Sequence, residues 1–146
     1  MNPSATPATT RDAARRNHPH TEILRRIYAD LTKLAEYADE DIVLHRADRE
    51  AEDSHAYRGL RAVMVHERAL LRATGGSLVM DVESICANDH FGAVLGTLRA
   101  GSPHRIAMPF CGLWRFTDGR IVEHWENAQD AARLQSLLRS PGAAPA

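Results

Sequence analysis

Imidazole and carboxylate side chains crowd one short stretch of this 146-residue chain: residues 121–130 read IVEHWENAQD, with Glu123, His124, Trp125, Glu126 and Asn127 in succession. His45 closes a second short run, DIVLH, and His66 and Glu67 stand together in LRAVMVHERALLRA. Imidazole is the side chain whose charge ordinarily changes near neutral pH. Positioned against a substrate, it can take a proton from carbon next to a carbonyl. The enolate so formed needs a hydrogen-bond donor that strengthens as charge develops, and Tyr28, Tyr57, His66 and Asn127 are candidates. The alternative for His45 is a structural tie to an acid such as Glu67 or Glu123.

Other chemistries lack their residues. Eight histidines are present, but no His-Glu-x-x-His helix and no clustered spacing marks a metal site, so none is expected. Cys86 and Cys111 are too few and too far apart for a disulfide framework or a thiolate site. No glycine-rich phosphate loop follows a strand, and no serine elbow occurs, so no organic cofactor is expected. Acidic residues number 19 and basic ones 18, a formal charge of -1, which gives no support for broad binding to nucleic acid or an anionic membrane. No run reaches the roughly 20 apolar residues of a membrane span, and the polar start lacks a secretory core, so a reducing cytoplasm is the expected compartment.

The length suits one domain with a real core. Met1 to His20 reads as a flexible lead-in, 21–138 as the single domain, and 139–146 as a flexible tail. A helix starting near His20 or Thr21 carries Ile23, Leu24, Ile27, Tyr28 and Leu31 at helical spacing. Ile42 to His45 reads as a short strand, Ala47 to His55 as a charged surface loop, and Leu60 to Ala73 as a second helix stopped by Gly75-Gly76. Strands over 78–87, 91–100, 104–116 and 121–127 follow, with turns at Asn88-Asp89-His90, Gly101-Ser102-Pro103 and Asp118-Gly119. Residues 131–138 have room for a last helical turn or two. Helices first and a meander afterwards define an α+β domain.

That element order and the segment FTDGRIVEHWENAQ resemble the NTF2-like superfamily, and the SnoaL-like polyketide cyclases in particular, from about Glu22 to Asp130. The hairpin is similar to one that commonly runs from an aromatic through Asp-Gly-Lys/Arg and Ile to Glu-His-Trp-Asp, with Glu126 here in the aspartate's place. The resemblance implies a cone in which a curved mixed or antiparallel sheet wraps around the N-terminal helices and encloses an apolar pocket. It also implies a homodimer through the outer sheet face. His45 falls where ketosteroid isomerases keep an aspartate base, and Asn127 where limonene epoxide hydrolase-like proteins keep a catalytic aspartate. The Arg and Asp that those hydrolases carry on an earlier strand have no counterpart between Phe91 and Ala100, which disfavours epoxide hydrolysis.

Strand parity decides which of these side chains share the pocket. Ile106, Met108, Phe110, Gly112, Trp114 and Phe116 form the more apolar face of their strand and are expected inside, with Cys111 and Leu113 outside. On the closing strand, Trp125 is placed inside on bulk, and Glu123 and Asn127 follow it. The opposite parity would bring in His124 and Glu126 as the acid–base pair.

The expectation is therefore a proton-transfer site with His45, Glu123 and Asn127 acting on a small apolar or polycyclic carbonyl compound, in an isomerase, cyclase or dehydratase reaction. Tyr28, Tyr57, His66, Phe110, Gly112, Trp114, Phe116 and Trp125 are expected to line the pocket. A noncatalytic ligand-binding or protein-interaction module on the same fold is the rival.

Overall fold

The computed structural model describes residues 17–50 and 55–139. Helix α1, Pro19–Ala29, starts one residue before the expected His20, because Pro19 occupies its first turn and the His18 ring accepts the His20 amide as cap. A 3-10 turn, Leu31–Lys33, and a single helical turn α2, Leu34–Tyr37, lead into strand β1, Ala38–His45. A two-residue strand β2, Tyr57–Arg58, precedes α3, Leu60–Ala73. Strands β3, Val79–Ala87, β4, Phe91–Ala100, β5, Ile106–Thr117, and β6, Arg120–Ala128, form the meander, and α4, Ala131–Arg139, closes the described chain. Residues 1–16 and 140–146 of the expected flexible segments, and 51–54 of the expected surface loop, lie outside the described residues.

The six strands form one sheet in the order β2-β1-β6-β5-β4-β3. All neighbours are antiparallel except β1 and β6, which run parallel. The β5–β6 turn is tight because Asp118 and Gly119 both take positive φ, 51° and 79°, as two-residue hairpin turns require.

One face of the sheet packs on α1 and α3. Leu24, Ile27 and Tyr28 of α1 and Val63, Met64 and Leu70 of α3 are buried, matching the helical stripes. They meet Ile42 and Leu44 of β1, Val94 and Leu98 of β4, and Ile106, Met108, Phe110, Trp114 and Phe116 of β5. The parity expected for β5 is the parity found, with Leu113 on the opposite face at 41% exposure. The whole is the α+β cone, a curved mixed sheet against N-terminal helices.

The closing strand is different. Phe116 pairs with Ile121 but Arg115 with Glu123, so Val122 is an extra residue in β6. A bulge of this kind sets two residues against one and reverses the alternation beyond it. Ile121 is inside before the bulge, and His124 is inside after it.

Candidate functional site

The bulge at Val122 corrects the expected direction of Trp125 and Glu123. Trp125 lies on the outer face, where its ring stacks on His45 with centroids 5.2 Å apart and planes 12° from parallel. The inner volume expected for it is filled by Trp114 and His124, stacked at 3.5 Å. His45 follows Trp125 because the two residues are partners in the parallel β1–β6 pair, while Leu44, one position earlier, is buried inside. His45 Nε2 is 2.6 Å from Glu123 Oε2, and Arg115 Nε donates to the other Glu123 oxygen at 3.0 Å. Burial pushes the Glu123 carboxyl up, but the bonds from His45 and Arg115 outweigh it and hold the group below its usual range. Asn127 donates from Nδ2 to the Cys111 carbonyl at 3.0 Å and accepts from Arg49 at 2.6 Å. It reaches the rim of the inner cavity with its amide already engaged.

The outer face has its own depression, a groove of about 530 Å³ bordered by Arg49, Cys86, Phe91, Leu113 and Trp125. The inner chamber is far smaller, about 50 Å³, between α1, α3, α4 and the concave sheet face. Leu70, Leu78, Met80, Leu98, Phe110, Trp114 and Leu134 give it apolar walls, and Tyr28, Glu67, His124 and Glu126 give it one polar end. Of the eight residues expected to line the pocket, Tyr28, Phe110, Gly112 and Trp114 do so. Gly112 is required there, since a Cβ would overlap the Tyr28 hydroxyl, which accepts from Trp114 Nε1 at 3.2 Å. Phe116 is core, stacked beneath His20 at 4.0 Å. Tyr57 stands behind the site, its ring 4.8 Å from that of His66.

Glu67 from α3 and His124 and Glu126 from β6 bring acid–base groups to the chamber, and His66 bonds Glu126 without lining it. His66 and Glu67 are consecutive on α3, and both are buried because they sit beside the Val63, Met64 and Leu70 stripe. His124 and Glu126 are two apart on β6 and share its inner face. His66 Nε2 lies 3.0 Å from Glu126 Oε1. Burial opposes charge on both partners, yet their mutual bond outweighs it, raising His66 and lowering Glu126. Glu67 is only 5% exposed, and among the described residues its carboxyl takes no hydrogen bond. Burial, reinforced by the nearby Glu126 charge, pushes it up to about 8, so that it is mostly protonated at neutral pH. The His124 ring lies 2.9 Å, through Nδ1, from the Leu113 carbonyl. A carbonyl can only accept, so Nδ1 carries the proton and Nε2 keeps its lone pair. Burial drives this imidazole down to about 4.

His124 and Glu126 are the residues that the bulk argument for Trp125 displaced from the expected site, whereas Glu67, on α3, was expected only as a structural tie for His45. The available signal was Trp114: a second indole on the neighbouring strand competes for the same interior space.

An NTF2-like cone with a lined chamber is the class defined by this fold and this site. The chain belongs to the SnoaL-like domain family, which it matches over residues 27–124. Solved structures agree in fold. Bal32a from a soil-derived mobile gene cassette superposes with a TM-score of 0.69 at 21% identity, covering 82% of this chain and 95% of that one. A candidate SnoaL-like polyketide cyclase from Jannaschia sp. CCS1 gives 0.68 at 14% identity, over 83% and 92%. IdmH from Streptomyces antibioticus gives 0.63 at 18% identity, over 84% and 100%. No curated protein matches in sequence. No helix among the described residues is long and apolar enough to cross a membrane.

Proposed function

We propose that this chain binds a small carbonyl compound in the inner chamber and shifts a proton on it, as an isomerase, cyclase or dehydratase. The observation that carries this reading is the buried Glu67 carboxyl, without a hydrogen-bond partner among the described residues, facing a chamber that is also lined by Glu126, to which His66 bonds from outside the lining. Two carboxyl groups with environments that drive their proton affinities apart define an acid and a base. Glu126, held ionised by His66, takes the proton from carbon next to the carbonyl. Glu67, protonated, donates to the carbonyl oxygen as negative charge develops there, in a site that excludes bulk water. Neutral His124 and Tyr28 border the same space. About 50 Å³ holds a few waters and falls well short of the roughly 300–1,000 Å³ typical of drug-sized ligands. The chamber as it stands therefore takes no more than a few waters, and a cyclic ketone or a polycycle requires α4, through Leu134, to move aside.

A second reading keeps the outer pair. His45 and Glu123 lie at 2.6 Å on the outer face beside Trp125, whose ring borders a groove large enough for a polycyclic ligand. The same face exposes Phe91, Leu95 and Leu113, an apolar surface suited to a second copy of the chain. A homodimer formed there covers the groove, so that the two roles of this face compete.

Deuterium exchange into a panel of small cyclic ketones, followed by NMR, separates the readings. Glu67→Gln and Glu126→Gln are expected to lower the exchange rate by about 100-fold or more, the usual contribution of a positioned acid or base, while His45→Ala leaves it near that of the unaltered protein. Loss in His45→Ala with retention in Glu67→Gln would assign the reaction to the outer face. Absence of exchange across the panel would leave the binding-module rival as the better description.

A further inference from the structure

His66, Glu67 and Glu126 form a cluster whose geometry serves something other than a proton. One potential ligand atom from each, an imidazole nitrogen and two carboxylate oxygens, lies within 4.8 Å of the others. All three side chains are largely withdrawn from solvent, and among the described residues none of the three is bonded to an arginine or lysine. Arg46, which borders the same small pocket as His66 and Glu126, is committed to Asp48 through two bonds of 2.8 and 2.6 Å. With Glu67 ionised and His66 neutral, as metal ligation requires, the three groups carry two negative charges, the complement of a divalent cation, and binding releases the proton that Glu67 holds when the site is empty. The Glu67 carboxyl, buried and without a hydrogen-bond partner among the described residues, is aimed into the chamber and supplies a second, independent indication of an absent ligand.

We propose that His66, Glu67 and Glu126 bind one divalent transition cation of the zinc class, with water from the chamber completing its coordination. The donor set selects the ion. Imidazole together with carboxylate oxygen suits zinc and its first-row neighbours, calcium and magnesium prefer all-oxygen shells, and no thiolate is present to favour softer ions. Three protein ligands and an open fourth position are the usual arrangement at zinc sites that keep a water. With zinc bonds of about 2.0–2.2 Å, tetrahedral ligand atoms stand about 3.4 Å apart, so the widest separation has to close by roughly 1.4 Å. His66 and Glu126 are already at 3.0 Å. The chamber, about 50 Å³, leaves space for the water on the remaining side. Tyr57, packed against the His66 ring, restrains its orientation.

This inference goes beyond the proton-transfer reading and does not depend on it. A bound cation would occupy the carboxylates assigned above as acid and base, so the loaded and empty forms would differ in chemistry.

The test is binding, read without turnover. The purified chain is stripped with chelator, titrated with Zn²⁺ against a chromophoric competitor, and titrated separately with Co²⁺ for the absorption of a low-symmetry site. The unaltered chain is expected to bind one equivalent. Glu67→Gln keeps side-chain size, and loses affinity by at least about tenfold, since even partners of ligands commonly contribute about 10–100-fold. His45→Ala and His18→Ala remove the surface pairs with Glu123 and Asp89, which are the alternative zinc positions, and are expected to leave affinity unchanged. Failure of the unaltered chain to bind Zn²⁺, equal affinity in Glu67→Gln, or loss confined to His45→Ala or His18→Ala would each overturn the proposal. Circular dichroism of Glu67→Gln confirms that any loss of affinity is not loss of fold.

Discussion

Replacing Glu67 by glutamine, with chelator present throughout, should stabilise the fold at pH 7 and remove a pH dependence. The carboxyl rises from 4.5 in the unfolded chain to about 8 in the folded one, chiefly through burial. Between those values the folded state holds a proton that the unfolded state has released, so stability falls as pH rises from about 4.5 to 8. At pH 7 the difference from the unfolded value is about 2.5 pH units, or about 3 kcal/mol at 1.36 kcal/mol per unit; at pH 5 it is under about 1 kcal/mol. Glutamine does not titrate, so its advantage should grow by about 2–3 kcal/mol between pH 5 and pH 7. An amide left without partners costs about 1–3 kcal/mol, but that cost is the same at both pH values and drops out of the comparison. Urea unfolding of both chains at pH 5 and 7 gives the four free energies. Parallel pH dependences in the two chains would refute the assignment of Glu67 as a neutral buried acid.

Three further outcomes follow from the geometry. Gly112→Ala drives a methyl group into the Tyr28 hydroxyl and should cost about 1–3 kcal/mol, the usual range for overpacking, measured as a lower thermal midpoint. His45→Ala removes a partly exposed hydrogen-bonded contact with Glu123 and should change stability by about 1 kcal/mol or less. Because Glu123 is held below its ordinary range, that contribution is present above the unfolded carboxylate value and lost as pH falls through the folded one, which an acid titration of both chains would reveal. Leu113→Asp places a charge in the middle of the exposed outer face, and sedimentation equilibrium should show a dimer of the unaltered chain becoming a monomer; an unchanged assembly would show that a second copy does not cover this face.

The helices and the β5 parity are legible in the chain because burial there obeys one period throughout. Leu60 to Ala73 alternates at helical spacing, and Ile106 to Phe116 at spacing two, with no conflict between residue type and direction. Residues 121–127 break that rule. Val122 looks like an ordinary strand residue, and no glycine or proline marks the bulge, yet its insertion reverses every side chain after it. Bulk then misleads, since Trp125 finds a stacking partner in His45 on the outer face while His124 is accepted inside by stacking on Trp114 and bonding to the Leu113 carbonyl. The Glu67 position was legible as part of the α3 stripe, but its lack of a partner depends on tertiary placement, which periodicity does not encode.

The central claim is that a protonated carboxyl waits in the chamber at neutral pH. Difference infrared spectroscopy of the chelator-treated chain, comparing the unaltered protein with Glu67→Gln near pH 6.5, reads the carbonyl stretch of a protonated carboxylic acid directly. The account predicts one such band that fades as pH rises through about 8 and is absent from the variant. A spectrum with no protonated carboxyl at pH 6.5, or a band that survives in Glu67→Gln, would contradict it.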